Sequence, residues 1–143
     1  VLERGANLQD NCVVHSHWDF DCVLEEDSHV GHGAVIHACR LGRDVLVGMN
    51  AVVMDDAHVG DGSIVAAMAL VPMRQKIPPR SLVAGIPAKV LRPVDDAMLA
   101  GKRQGTALYQ ELARRSLKEL VAAEPLQAVE GDRPRYDWGI HRY

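Results

Sequence analysis

The sequence predicts an all-β protein, a parallel β-helix, that is followed by a C-terminal α-helix. An aliphatic residue returns every six positions between Leu24 and Val83, with one slip, and a small residue follows four places after most of them. After Pro93 the period becomes helical. A fixed six-residue repeat is typical of a β-helix, in which each unit forms a short strand and a turn. Three units complete one triangular coil, whose narrow interior agrees with an aromatic content of only 4%.

The inward side chains of the coil can be assigned along the chain. We expect them at Leu2, Leu8, Val14, Leu24, Val30, Ile36, Leu41, Val47, Val53, Val59, Val65, Val71, Ile77 and Val83. One residue is missing between Ile36 and Leu41, and ten positions separate Val14 from Leu24 where a repeat has six. The longer gap predicts a four-residue loop insertion within residues 15–23. The fourth repeat position favours Asp, Asn or Gly, which tolerate the left-handed backbone of a tight corner.

The end of the chain follows a helical pattern. Asp95 or Asp96 can cap a first helical turn, and Thr106 can cap a second segment. Gly101 and Gly105 leave open whether there is one helix or two. The second segment carries an apolar stripe made by Leu108, Leu112, Leu117, Leu120 and Val121. Because the coil is already closed, we expect this stripe to cover a neighbouring subunit.

Length and composition limit the possible functions. We divide the 143 residues into a β-helix at 1–92, a helical segment at 93–124 and an irregular tail at 125–143. The net charge of −3 provides no basic surface for nucleic acid or an anionic membrane, and no apolar run approaches the length of a bilayer span. An odd number of cysteines without CxxC spacing is typical of reduced thiols in a cytoplasmic protein. These cysteines are Cys12, Cys22 and Cys39.

Three histidines lie at positions that the coil can bring towards one site. Across the inserted loop one coil spans 22 residues, which puts His15 directly beneath His37 with both side chains aimed at one point outside the prism. The same offset stacks Asp10 under His32 on the preceding face. His32 is therefore not expected to reach that point within its own chain. Three prisms packed side by side would let His32 of one chain complete the site of the next.

Three histidines with an open fourth position are typical of a catalytic zinc site. A metal there lowers the pKa of a bound water towards neutrality and makes a hydroxide that can attack CO2 or a carbonyl carbon. Gln9 and Asp10 lie one repeat before His15 and could position that hydroxide or orient a ligand. They could equally be polar corner residues. We expect His29 and the other turn histidines to lie on the surface.

The motifs of the chain resemble those of the γ-class carbonic anhydrase family. Within that family the branch of the phenylacetic acid degradation protein PaaY and the carnitine operon protein CaiE matches best, and the third and fifth motifs below look closer to PaaY. The matching pieces are GANLQDNCVVH (5–15), GHGAVIHAC (31–39), VGMNAVVMD (47–55), GIPAKVLR (85–92) and KRQGTALYQEL (102–112).

This resemblance implies a homotrimer of left-handed parallel β-helices of the hexapeptide-repeat type. It implies zinc, or another divalent metal such as iron or cobalt, at each subunit interface. The metal ligands are expected to be His15, His32 and His37. Gln9 and Asp10 fall on the pair beside the catalytic water, and Tyr109 falls on a helix tyrosine that reaches back to the site. The implied reaction is reversible hydration of CO2 or hydrolysis of a CoA thioester, in the degradation of phenylacetate.

Two other classes of function share this coil. A metal-independent hexapeptide-repeat acyltransferase uses acetyl-CoA and generally a single catalytic histidine as general base, and a trimeric scaffold has no catalysis at all. Three histidines at ligand spacing favour the metalloenzyme over both. Members of the resembled family usually begin with further coils that carry an Arg-Gly-Asp or similar segment. No such segment precedes Val1, so we expect N-terminal coils to be missing from this sequence.

Overall fold

Short strands and tight turns make up most of the protein, and a long helix follows them. The computed structural model describes residues 1–129 and 131–132. The strands are β1 (Asn7–Leu8), β2 (Val13–His15), β3 (Val23–Leu24), β4 (His29–Val30), β5 (Val35–His37), β6 (Arg40–Leu41), β7 (Leu46–Val47), β8 (Val52–Val53), β9 (His58–Val59), β10 (Ile64–Val65), β11 (Leu70–Val71), β12 (Lys76–Ile77), β13 (Ser81–Ala84) and β14 (Lys89–Pro93). The helix is α1 (Asp96–Glu119).

The strands of the described chain form the three sides of a triangular prism. The first sheet contains β1, β4, β7, β10 and β13, the second β2, β5, β8 and β11, and the third β3, β6, β9 and β12. Each strand therefore pairs in parallel with the strand one coil away. β14 turns back and pairs antiparallel with β13 at the edge of the first sheet. The predicted parallel β-helix with a C-terminal helix is confirmed.

The core is a column of stacked aliphatic side chains. The eleven residues predicted to point inward between Leu24 and Val83 are at most 4% exposed. Each buried aliphatic side chain contributes roughly 1.5–3 kcal/mol, so this column drives closure of the coil. Leu2, Leu8 and Val14 occupy the same positions in the first coil but are 57%, 36% and 41% exposed. No coil of the described chain covers their other side.

The inserted loop shifts the register by the predicted amount. β1 pairs with β4, and β2 with β5, at an offset of 22 residues, which sets His15 opposite His37. A bridge between His17 and Phe20 closes the loop itself. The predicted corner residues adopt positive φ angles between 52° and 69°, at Asp27, Gly33, Asp44, Asn50, Asp56 and Gly62.

Helix α1 is continuous, and of the two predicted cap candidates, Asp95 and Asp96, Asp95 is the cap. The Asp95 carboxylate accepts a hydrogen bond from the backbone N–H of Met98 at 2.8 Å. Thr106 is not a cap, and of the two alternatives that the sequence left open, one helix or two, the structure has one. Its hydroxyl donates to the carbonyl of Lys102 inside the helix. Packing against the coil offsets the cost of about 1 kcal/mol that each internal glycine imposes, so the helix does not break.

The helix packs on the first sheet through a face that is only partly apolar. Its buried residues are Leu99, Lys102 and Thr106. The predicted apolar stripe is not used within the chain, since Leu112, Leu117, Leu120 and Val121 are between 39% and 90% exposed. The helix ends at Glu119 because Leu120 takes an extended conformation, earlier than the predicted helical segment.

Charged contacts fix the helix in place along the coil. Lys102 is buried, and its Nζ donates to the backbone carbonyl of Asp27 and lies 3.3 Å from Asp44 Oδ1. Arg103 pairs with the other carboxylate oxygen of Asp44 at 2.7 Å. Burial lowers the pKa of Lys102, while the Asp44 carboxylate opposes that shift. Gln110 adds two further bonds, to the carbonyl of Gly5 and the side chain of Asp27.

The outer faces of two sheets differ in polarity. On the second sheet, one outward column of side chains is entirely apolar and partly exposed, consisting of Val13, Val35, Val52 and Leu70. The corresponding column on the third sheet is mostly polar, consisting of Val23, Arg40, His58 and Lys76. The second sheet is therefore the better candidate for a surface that another subunit covers.

The residues that follow the helix complete the described part of the chain. Residues 120–129 have no regular secondary structure. Most of the predicted irregular tail, residue 130 and residues 133–143, lies outside the described residues. The three cysteines form no disulfide bond. Among the described residues, no helix combines the length and the apolar character needed to cross a membrane.

We expect Lys102→Met to destabilise the protein by about 2 kcal/mol, because the substitution leaves the Asp27 carbonyl without its buried donor and removes one partner of Asp44. The measurement is the free energy of unfolding in urea at a fixed protein concentration. Lys118→Met, at an exposed position in the last turn of the same helix, is the control and should have little effect. Equal stability of the two variants would contradict the role given to Lys102.

Candidate metal centre

Two histidine rings stack on the outside of the second sheet. His15 ends β2 and His37 ends β5, and both follow an inward aliphatic residue, so the alternation of the strands directs them outward. Their ring centroids are 4.8 Å apart and their planes differ by 20°. His15 is exposed and His37 is half-buried. The stacking that the 22-residue offset predicts is therefore present.

A buried carboxylate orients one of the two rings. Nδ1 of His37 donates to Oδ1 of Asp55 at 3.0 Å, and the Asp55 residue is 9% exposed. A proton held on Nδ1 leaves the lone pair of Nε2 free to bind a metal, as in many zinc sites in which a carboxylate supports the histidine ligand. Asp55 ends the motif VGMNAVVMD, and the sequence alone predicts no function for it. Its position at a corner one coil beyond His37 is the signal that could have identified it.

The other predicted site residues gather around His32. Asp10 Oδ2 lies 3.4 Å from Nδ1 of His32, in agreement with the predicted stacking of these two residues. The hydroxyl of Tyr109, on α1, lies 3.5 Å from Nε2. Gln9 Oε1 accepts the backbone N–H of His32 at 3.1 Å. Tyr109 therefore approaches His32 of its own chain.

The predicted residues thus form two groups on different sides of the prism. His15 and His37 offer two imidazole donors, and His32 offers a third on the neighbouring edge. Within the described part of a single chain, no group of three or more His, Cys, Asp or Glu residues is placed to hold a metal ion. Imidazole donors supported by a carboxylate suit zinc or a similar divalent ion, but the pair is one ligand short of the usual three.

His29 lies in the interior, so its prediction as a surface residue is wrong. It is only 6% exposed, because Thr106 and Tyr109 of α1 cover it. Its Nε2 is 2.7 Å from Gln9 Nε2, and its Nδ1 is 3.2 Å from Thr106 Oγ1. Burial is the largest cause that lowers its pKa from 6.5 to about 4, followed by the electrostatic effects of Lys102 and His32. The repeat could not reveal this burial because the helix supplies it.

Comparison of sequences places this chain among hexapeptide-repeat proteins. The family model described as Bacterial transferase hexapeptide (six repeats) matches residues 38–72. The carnitine operon protein CaiE of Citrobacter koseri is 52% identical over 135 residues, which cover 94% of this chain and 68% of the relative. The same protein of Salmonella newport is 50% identical over 135 residues, with the same two coverages.

Comparison of structures gives the same fold. The product of the BC4754 gene of Bacillus cereus, which is named as a proposed acetyltransferase, is 34% identical to this chain and superimposes with a TM-score of 0.76. The match covers 80% of this chain and 67% of the Bacillus protein chain. A hexapeptide transferase family protein of Anaplasma phagocytophilum is 35% identical with a TM-score of 0.74, covering 79% of this chain and 66% of its own.

The lowered pKa of His29 predicts how stability depends on pH. The unfolded chain binds a proton at this histidine below about pH 6.5, but the folded chain binds it only below about pH 4. Because the unfolded state gains protons first, the contribution of His29 to the free energy of unfolding is complete above pH 6.5 and is lost as the pH falls towards 4. The loss is at most about 3 kcal/mol. We expect metal-free His29→Gln to lose less stability than metal-free wild type between pH 7 and pH 4, measured by urea unfolding. Parallel curves for the two proteins would contradict the burial of a neutral His29.

Proposed function

Because this chain belongs to the hexapeptide-repeat family of left-handed β-helix proteins that includes the carnitine operon protein CaiE, we propose that it is a metal-dependent enzyme of the γ-class carbonic anhydrase type. The observation that carries the proposal is the stack of His15 and His37 with Asp55 behind His37. A buried carboxylate that fixes the proton of an outward imidazole has a clear use if the other nitrogen binds a metal.

The third ligand is His32 of a neighbouring copy. Proteins with this fold are typically trimers. The apolar column Val13, Val35, Val52 and Leu70 runs along the same sheet that carries His15 and His37. Contact between copies through this face buries the column and brings an edge of the neighbouring subunit against the histidine pair. The half-exposed position of His32 on another edge of the prism leaves it available for such a contact.

Each site residue has a defined role in the proposed reaction. Zinc, or another divalent metal such as iron or cobalt, supplies Lewis acidity that lowers the pKa of a water molecule towards neutrality. Gln9 is held by the backbone of His32 and keeps a polar group beside the reacting water. Asp10 carries an exposed carboxylate beside His32 and can accept a proton. The hydroxyl of Tyr109 can donate a hydrogen bond to a substrate oxygen next to His32.

The proposed substrates share an electrophilic carbon that water can attack. CO2 and the carbonyl of a CoA thioester both satisfy this condition, and from the resemblance to PaaY we propose a thioester of phenylacetate degradation. The second candidate function is a metal-independent acyltransferase that uses acetyl-CoA. Its support is the transferase names of two structures that are 34–35% identical to this chain. Such an enzyme needs one histidine as general base and no carboxylate-supported pair.

We expect the wild-type protein to bind one divalent metal per chain as a trimer, and His37→Ala to lose that metal, because the substitution removes a ligand. The measurement is metal content by inductively coupled plasma mass spectrometry together with solution mass by light scattering. His58→Ala, an exposed histidine on the third sheet, is the matched control and should retain the metal. Full metal content in His37→Ala would exclude the shared three-histidine site.

We expect Asp55→Ala to weaken zinc binding by about 10–100-fold without abolishing it, because His37 remains but its ring is no longer held. The measurement is a competitive titration of the metal-free protein with zinc and a chromophoric chelator. Asp56→Asn changes the neighbouring acidic residue, which is half-exposed and faces His58, keeps a residue that tolerates the positive φ of this corner, and serves as the control. Equal affinities for Asp55→Ala and wild type would show that Asp55 does not support a ligand.

An activity panel distinguishes the proposed reactions from the alternatives. Zinc-loaded and metal-stripped proteins are compared for CO2 hydration by stopped flow, for hydrolysis of a series of acyl-CoA thioesters by thiol release, and for acetyl transfer from acetyl-CoA to amines and alcohols. Metal-dependent hydration or hydrolysis supports the proposal. Acetyl transfer that survives removal of the metal favours the acyltransferase, and a trimer inactive in every assay favours a scaffold.

A further inference from the structure

The orientation of the Gln9 side chain is determined by a backbone group that cannot rotate. Its Oε1 accepts the N–H of His32 at 3.1 Å, so its amide nitrogen must point the other way. There it meets Nε2 of His29 at 2.7 Å. An amide nitrogen carries only donors, so the ring nitrogen opposite it must be the acceptor.

This contact fixes which nitrogen of His29 carries the proton. With Nε2 as an acceptor, a neutral ring has its proton on Nδ1. The Nδ1–H is directed at Thr106 Oγ1, 3.2 Å away, which is free to accept because the Thr106 hydroxyl gives its own proton to the carbonyl of Lys102. The side-chain nitrogen of Asn7 is 3.5 Å from Nδ1, too far for an ordinary hydrogen bond.

A continuous chain of hydrogen bonds therefore joins the helix to the site. It runs from the Lys102 carbonyl through Thr106, His29 and Gln9 to the backbone of His32. In each hydrogen bond of this chain the donor and the acceptor are fixed. Reversing one bond would place two donors opposite each other at the next one. The Tyr109 and His29 rings pack edge to face with centroids 5.1 Å apart, which restricts rotation of His29.

We propose that His29 is a positioning residue that holds the Gln9 amide in one orientation through a fixed Nδ1–H tautomer set by Thr106. The catalytic meaning of this role rests on the proposed function, in which Gln9 lies beside the reacting water. Locked by His29 on one side and by the His32 backbone on the other, Gln9 presents a fixed polar group to the site without having to reorganise. Helix α1 thereby controls the geometry of a residue that lies on the coil.

The surroundings of His29 keep the ring neutral. The buried ammonium of Lys102 and the His32 ring act on it from the helix and from its own coil, and both disfavour a positive charge. Tyr109 and Thr106 are uncharged neighbours from α1, and Asn7 and Gln9 are uncharged neighbours from the first coil. Among the described contacts of His29 no carboxylate is present that would stabilise the imidazolium.

The test begins with the metal-free 143-residue chain labelled with ¹⁵N, so that it does not depend on activity. Long-range ¹H–¹⁵N spectra report the tautomer of each histidine, and side-chain amide signals report Gln9. We expect His29 to carry its proton on Nδ1 from about pH 5.5 to pH 8, in accord with its lowered pKa. Thr106→Val should remove the tautomer preference and shift the Gln9 amide signals. Arg114→Met, which removes only an exposed ion pair with Glu111 on the same helix, is the control.

The second part measures catalysis by the zinc-loaded variants on whichever substrate the wild type turns over. His29→Leu should lower kcat about tenfold while KM and metal content stay unchanged. His29→Gln should recover much of that loss, because its amide oxygen can accept the Gln9 proton at the position of Nε2. Thr106→Val should show an intermediate kcat, and Arg114→Met should retain the wild-type value.

The outcomes separate this inference from the proposed function. An Nε2–H tautomer or a doubly protonated His29 at pH 7, or unchanged Gln9 signals in Thr106→Val, overturns the positioning role whatever the activity. Equal losses of kcat in His29→Leu and His29→Gln, with equal losses of thermal stability, also overturn it, since they indicate only a structural role. An inactive zinc-loaded wild type with the expected spectra instead refutes the proposed function, while the ordered His29–Gln9 pair stands.

Discussion

Coil-on-coil pairing in register is the constraint on which the rest of this structure depends. Parallel strands one coil apart align side chain above side chain, so any residue type that recurs at the coil length becomes a column. The aliphatic residues form the inner column, and the two histidines of β2 and β5 form a short outer one. The inserted loop lengthens the first coil to 22 residues, and this length alone brings His15 onto His37 rather than onto a neighbour.

The helix contributes a second, independent level of organisation. It is fixed by the buried ammonium of Lys102, and its next buried turn brings Thr106 and Tyr109 over the first sheet. Two parts of the chain that are 77 residues apart thereby meet at His29 and at His32. The coil supplies the imidazole donors, and the helix shapes the polar surroundings of one of them. A site divided in this way depends on both elements being docked correctly.

The arrangement of donors also explains why one chain carries an incomplete site. Outward residues on a narrow prism diverge from one another, because adjacent sides face in different directions. Two histidines on one side can converge, as His15 and His37 do, but His32 lies on another edge, and within the described residues no three such side chains converge on a metal position. A surface contact between copies is the simplest way to combine diverging groups, and the apolar outer column beside the pair provides such a surface.

The sequence by itself determined the coil, its inward residues, the inserted loop, the start of the helix at Asp95 or Asp96 and the stacking of His15 on His37. All of these follow from counting along a periodic chain, since each coil repeats the geometry of the last. Only the tertiary structure decided that Asp55 supports His37, that His29 is buried, and that α1 is one helix docked through Lys102 and Thr106. These features depend on contacts between elements that share no period, so their geometry is set by packing and hydrogen bonding in three dimensions.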